Sequence, residues 1–365
     1  MKVTPAKKYH KIKLRIALSG IIIDLLFWSG LIISGGSTAI ASYAYHGSSQ
    51  PLTQFYYFTI GIGFISLLIH LPLSFYSSYI VEHQFSLSNQ SLLRWIGEQL
   101  KGFLLGILLG GILLTVFYLT LWKYPASWWI MVWVFMLFFS ILLGQLAPVL
   151  IFPIFYKFKP LENESLKKRI EELAKNWKLN VSGIFQFDLS KNTKKANAAF
   201  AGLGKTRRVI LGDTLLTNFS EEEIETVFAH EIGHYSLRHL LKGIIFNSLI
   251  SLIGLYAAFH IYQIILSGRQ YQSHQLEALP YLGLIFLIYS LVTGPLGNYL
   301  SRKFEYQADQ FAITATGKSQ EFISSLKKLG ELNLADQTPH PVVEFLFYSH
   351  PSIEHRIEKL TGVIR

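Results

Sequence analysis

Six stretches of this chain stay apolar for long enough to cross a bilayer. They run roughly over residues 16–36, 55–79, 102–122, 127–150, 243–266 and 279–300, and a spanning helix needs about 20 apolar residues. Elsewhere the pattern changes. Residues 164–180 alternate charge with Ile170, Leu173 and Trp177 at helical spacing, which predicts a surface helix packed on a small domain. Residues 183–190 read as a strand, and residues 196–216 as two strands around a glycine-rich turn. Ser220 followed by Glu221, Glu222 and Glu223 has the composition of a capped helix start. The helix it opens runs with little break into the fifth apolar stretch. Residues 320–335 form an amphipathic helix, and Arg356 opens the last one. Pro148, Pro153 and Pro160 end the fourth stretch, while residues 80–101 read as a polar connection that holds Glu82 and His83 in a loop.

Composition places the runs in a membrane. Hydrophobic residues make up 51% of the 365 and charged residues only 15%, against about 25% charged in soluble domains. The first run follows Lys2, Lys7, Lys8, Lys11, Lys13 and Arg15, and it reads as a retained span rather than a cleaved signal peptide. A net charge of +10 would suit nucleic acid, but its distribution points elsewhere. An even number of spans puts both chain ends on one side. Of the 33 Lys and Arg residues, only Lys123 and Arg269 fall on the other side. This positive-inside bias predicts a multi-pass protein with both termini in the cytosol. No nucleic-acid partner is expected; the lipid bilayer is. Asp24, within the first span, calls for a partner on another helix.

The candidate chemistry sits in residues 226–239, TVFAHEIGHYSLRH. His230 and His234 are four apart and share a helix face, so both imidazoles can reach one ion. Glu231, offset by one, can face a water-occupied position as general base. These are parts of a hydrolytic zinc site. With no cysteine in the chain, thiolate ligands and disulfides are excluded. Downstream, Glu305 and Asp309 are again four apart. Glu305 is the candidate third ligand, and Asp309 a carboxylate that would hold the far ring N–H of a ligand histidine. The longer motif with a third histidine is absent, since Leu237 and Leu240 occupy its glycine and histidine positions. His239, five beyond His234, is rotated off the metal face. Asn197 and Ala198 lie where a strand edge could bind extended peptide. His350 is the first candidate for stabilising an oxyanion, and Arg356 for pairing or substrate contact. GLGKT at 202–206 is no phosphate loop, because Ala199 stands where the motif needs glycine.

H-E-I-G-H, then F-E-Y-Q-A-D, then S-H-P-x-x-x-x-R resemble the type I CAAX prenyl proteases, integral-membrane zinc proteases of peptidase family M48. N-A-x-x-x-G at 197–202, RRVILGDTLL at 207–216 and LPLSFYSSYIVEHQFSLSNQSL at 71–92 resemble the same family, so the likeness runs from about residue 54 to the C-terminus. The resemblance implies a helical barrel around an intramembrane chamber with a cytosolic zinc site. It also implies that one Zn2+ is bound by His230, His234 and Glu305, with Glu231 as base and Asp309 behind the ligands. Asn197 and Ala198 would contact substrate, and His350 and Arg356 would line the site. Eukaryotic members have seven spans, one more than are counted here, and a longer insertion before the zinc helix. The expected fold is mostly α, a polytopic bundle of about six spans with a small cytosolic α+β metalloprotease domain. Residues 1–153 would hold four spans, 154–242 and 301–365 the protease, and 243–300 two inserted spans. The expected substrates are lipidated or membrane-embedded polypeptides. The membrane would be the cell inner membrane in a prokaryote and the endoplasmic reticulum in a eukaryote. The alternatives are a quality-control protease of the HtpX type and a transporter or scaffold with a structural metal.

Overall fold

The computed structural model describes residues 4–179, 181–202 and 208–362. In chain order the helices are α1 (Pro5–Ile33), α2 (Gly36–Gly47), α3 (Pro51–Gln84), α4 (Leu92–Lys123) and α5 (Trp128–Phe155). Then come α6 (Glu164–Asn176), α7 (Asp213–Asn218), α8 (Glu221–Ser236), α9 (His239–Arg269) and α10 (Leu279–Thr316). The chain ends with α11 (Ser319–Leu332), α12 (Pro341–Phe347) and α13 (Ile353–Thr361). The strands are β1 (Phe158–Pro160), β2 (Ile184–Phe187), β3 (Ala198–Ala201) and β4 (Arg208–Gly212).

Six helices, α1, α3, α4, α5, α9 and α10, are long and apolar enough to span a membrane. Each packs on the next in the order α1–α3–α4–α5–α9–α10, and α10 returns to α1, so six spans close a ring. All six line an apolar hollow of about 500 Å³, with Trp28, Phe58, Phe117, Val132, Leu255 and Phe286 among its walls. The return contact depends on Gly283, where a Cβ would stand 2.7 Å from the Trp28 ring. α2, with 12 residues, is too short to span. Between α1 and α3 Asp24 finds its partner: His70 Nε2 lies 3.1 Å from its Oδ1, and His70 Nδ1 contacts the Ser66 carbonyl. A carboxylate at membrane depth is thereby paired across two helices.

The unit outside the spans is a four-stranded sheet, ordered β1-β2-β4-β3, with helices against it. β2 and β4 are parallel; β1 and β3 pair antiparallel at the edges. Its core gathers Leu166, Ile170 and Leu173 of α6, Val209 and Leu211 of β4, Ile224 and Phe228 of α8, and Phe322 and Leu326 of α11. The amphipathic patterns of α6 and α11 therefore bury the faces that their spacing predicts. Trp177 lies just beyond α6, 40% exposed, its ring against Phe311.

Four boundaries differ from the sequence reading. The fourth span continues past Pro148 and Pro153 to Phe155. A wider π turn at Ala147–Ile151 takes up Pro148, and Pro153 falls in the first turn of the segment that follows, where an N–H is dispensable. Glu82 and His83 are helical, at the end of α3, and only a short link to α4 remains. The second strand of the hairpin stops at Gly212, where Asp213 starts α7; residues 203–207 of the intervening turn lie outside the described residues. Finally, α8 and α9 are separate helices, because Arg238 takes a left-handed conformation (φ 57°) and redirects the chain.

Candidate metal centre

α8 begins with the capping box that its sequence predicts. The Ser220 hydroxyl accepts from the Glu223 N–H, and the Glu223 carboxylate accepts from the Ser220 N–H. Burial alone would raise the Glu223 carboxyl, but Lys328, Ser324 and the Ser220 N–H hold it below the usual carboxylate range. α8 then lies along α10, and Gly233 permits the close approach. A Cβ there would meet the Ala308 Cα at 3.1 Å and the Ala308 carbonyl at 3.2 Å.

That approach brings three side chains together. His230 Nε2 and His234 Nε2 are 3.1 Å apart. Glu305 Oε2 lies 3.5 Å from the first and Oε1 3.3 Å from the second. Among the described residues, this is the group of His, Asp and Glu side chains that could hold an ion, its donor atoms within 4.8 Å of one another. His230, Glu305 and Asp309 are buried.

The far sides of the two imidazoles have different partners. His230 Nδ1 lies 2.8 Å from Asp309 Oδ1. Asp309 in turn accepts from Arg356, whose Nε donates to Oδ2 at 2.8 Å, and Arg356 Nη1 stands 3.7 Å from Glu305. His234 Nδ1 lies 3.1 Å from Nδ1 of His239, and His239 Nε2 lies 3.0 Å from the Gln307 side-chain oxygen. A carbonyl oxygen can only accept, so His239 carries its proton on Nε2. Its Nδ1 then accepts from His234 Nδ1–H. Both ligand rings thus have protonated Nδ1 atoms, and their Nε2 lone pairs face each other beside a carboxylate. That arrangement is repulsive unless a cation stands among them. An N2O donor set with no thiolate fits a zinc site that keeps a position open for water. The neighbouring carboxylates favour positive charge at this place, whether a proton or a metal ion supplies it. Burial opposes a charged His230, but Asp309 and then Glu305 outweigh it and push the imidazole up to about 9. Burial likewise works against charge on Arg356, and Asp309 more than compensates, so its pKa is raised.

Around this cluster runs a cleft of about 460 Å³ lined by Asn197, Ala198, Glu231, Glu305, His350 and Arg356, so these six residues singled out from the sequence border one cleft. Glu231 and His234 also line a second cleft of about 980 Å³, which continues between α9 and α10 past Ile244, Asn247, Leu300 and Phe304. β3 presents an edge to the first cleft. The Gly212 N–H donates to the Asn197 carbonyl, so register alternation turns the main-chain groups of Ala198 and Phe200 away from β4. His350 is 64% exposed at the rim, its Nε2 3.5 Å from Glu305 Oε1. The Arg356 guanidinium is committed to Asp309, which favours the pairing alternative over substrate contact.

Three participants escaped the sequence reading. His239 is buried at the site, stacked on Phe304 with ring centroids 4.2 Å apart, because the Arg238 kink swings it back towards His234. A continuous helix would have carried it away. Asn333 grips the approach to β3 with both amide ends, accepting from the Ala196 N–H and donating to the Ala196 carbonyl. Glu82 gathers Tyr9, Lys13 and Lys195 at 2.6–2.9 Å, joining α1 and α3 to the chain just before β3.

Comparison with known proteins gives the setting. Residues 160–364 match the model of peptidase family M48, and residues 2–157 that of the CAAX prenyl protease N-terminal region, described by five membrane helices. Four described helices of spanning length lie in that second range, with α2 as a short fifth. An uncharacterized metalloprotease of Bacillus subtilis, YhfN, is 29% identical over 97% of this chain and 84% of its own length. CAAX prenyl protease 1 of Saccharomyces cerevisiae is 32% identical over 82% of this chain and 70% of its own. The crystal structure of S. mikatae Ste24p superposes with a TM-score of 0.87 at 28% identity, covering 97% of this chain and 88% of that one. The likeness therefore reaches well upstream of residue 54.

Proposed function

This chain belongs to peptidase family M48, as a membrane metalloprotease of the CAAX prenyl protease kind, and we propose that it is a zinc-dependent endopeptidase. In this reading it cuts polypeptides, lipidated ones among them, at the cytosolic face of its membrane. The observation that carries it is the convergence of His230, His234 and Glu305 beside Glu231, in the same cleft as a strand edge. Three protein donors, rather than the four of a structural site, favour catalysis over a scaffold role.

His230, His234 and Glu305 would hold one zinc ion. When bound, zinc supplies Lewis acidity, which polarises a carbonyl and lowers the pKa of water towards about 7. Glu231 takes a proton from the attacking water and passes it to the leaving amine. Main-chain groups of Ala198, at the β3 edge beside Asn197, hold the substrate extended across the cleft. His350 donates a hydrogen bond to the developing oxyanion. Asp309 and Arg356 hold His230 and Glu305 in place. The cytosolic assignment of the site and both termini rests on the positive-inside bias of the connections, and the same bias leaves no surface assigned to nucleic acid.

Cleavage of matched peptides with and without a prenyl group, in proteoliposomes, tests the reading. Glu231→Gln should retain about one zinc per chain and lose activity by roughly 10²–10⁴-fold, the worth of a general base. Wild-type turnover in that variant would remove the assigned base. Equal cleavage of both peptides would remove the lipid from the recognised substrate.

A further inference from the structure

The short helix α12, PVVEFLF, turns an apolar face outward. Val342 is 56% exposed, Phe345 48%, Leu346 37% and Phe347 38%. Beyond Phe155 and outside the spans, the other exposed large hydrophobics among the described residues are Trp177 and Tyr235. Four such side chains in one seven-residue helix make a patch rather than scatter. The only charged residue of α12, Glu344, points inward, accepting from the Ser352 N–H and pairing with His355.

Most of the helix-end backbone groups are capped as well. Arg302 on α10 donates to the carbonyls of Glu344, at 2.9 Å, and of Tyr348, and Asn298 donates to the Leu346 carbonyl at 2.8 Å. At the other end Pro341 lacks an N–H, and the His340 ring accepts from the Val342 N–H. A helix end facing water needs none of this; one facing hydrocarbon needs all of it. The capping residues also fix its depth. Asn298 and Arg302 stand where the apolar run of α10 ends, next to Leu296 and Tyr299, which are 47% and 59% exposed on the same span.

We propose that Pro341–Phe347 is an interfacial anchor that lies in the bilayer surface on the protease side. Its apolar face continues the lipid-facing surface of α10, and the Val342 N–H and the carbonyls of Glu344, Phe345 and Leu346 find partners within the protein. The anchor leads directly into the rim of the metal cleft. Tyr348 bonds His10 of α1, and His350 follows two residues later, beside Glu305. Lipid contact at α12 therefore fixes the height of the cleft rim above the membrane. The proposal rests on the membrane spans and not on the proteolytic reading, so either can fail alone.

The chain has no cysteine, so single nitroxide labels can be placed at Phe345→Cys and Leu346→Cys of the full chain in proteoliposomes. Leu296→Cys serves as the lipid reference and Lys359→Cys as the water reference. Collision with oxygen at positions 345 and 346 should match the value at 296, with a water-soluble nickel chelate excluded. Chelate access equal to that at 359 would overturn the anchor. Exclusion of both reagents, with spin coupling between chains, would overturn it in favour of a contact with a second copy.

Discussion

Gly233 and Ala308 bring the helices of His230 and Glu305 into backbone contact, 3.1 Å separating the Ala308 Cα from the place a Cβ at position 233 would take. Neither partner can rotate away, because the atoms in contact are main chain. Gly233→Ala should therefore spread α8 from α10 by a few tenths of an ångström. It should cost roughly 1–3 kcal/mol, as overpacking does, and loosen zinc as Glu305 recedes from the histidines. Thermal unfolding in detergent and zinc competition with a chelator measure the two effects. An unchanged zinc affinity would mean that the helix spacing does not set the site.

His239 should matter for metal affinity although it is no ligand. Removing the acceptor for His234 Nδ1–H in His239→Ala should weaken zinc binding by about 10–100-fold, as the loss of such outer partners does. Gln307→Leu, which frees the His239 tautomer, should weaken it less. His239→Gln keeps an acceptor and should recover part of the loss. Chelator titration of each purified variant reads the order, and equal affinities across the set would refute the relay.

Glu82 gathers Lys13 of the first span and Lys195, just before β3, on one partly buried carboxylate. Glu82→Gln weakens both attachments without touching the metal. Zinc content should stay at the wild-type level while KM for a membrane-anchored peptide rises about tenfold, corresponding to 1.4 kcal/mol of lost binding. A fall in kcat alone would place Glu82 with the chemistry instead.

The Glu223 carboxyl is held below its ordinary value of 4.5 in the fold. A depressed carboxyl contributes stability that is fully present above the unfolded value and is lost as pH falls through the folded one. Lowering the pH below about 4.5 should thus erode the start of α8. Glu223→Gln, already lacking the charge, should be less stable at pH 7 and show a shallower acid dependence. Parallel melting curves of the two proteins between pH 7 and pH 3 would reveal the difference; parallel slopes would count against it.

Hydrophobic run length alone located the six spans, since crossing about 30 Å of hydrocarbon demands that many apolar residues wherever the helix later packs. Spacing likewise put His230 with His234, and Glu305 with Asp309, each on one helical face, and the Ser220–Glu223 cap is written in four adjacent residues. These features are local, and local periodicity records them. Helix ends were less legible. A π turn carried the fourth span through Pro148, and a left-handed Arg238 broke a pattern that looked continuous.

The tertiary structure alone decided how these pieces meet. The contact of Gly233 with Ala308, the ring of six spans, the return of His239 to His234 and the grip of Asn333 on Ala196 all join residues whose order in the chain carries no trace of their distance in space. The same holds for Glu82, which reads as a loop carboxylate until α1 and the approach to β3 arrive beside it. An apolar residue in the sequence records that it avoids water, but whether a core or a lipid surface receives it, as at Phe345, depends on what the fold packs against it.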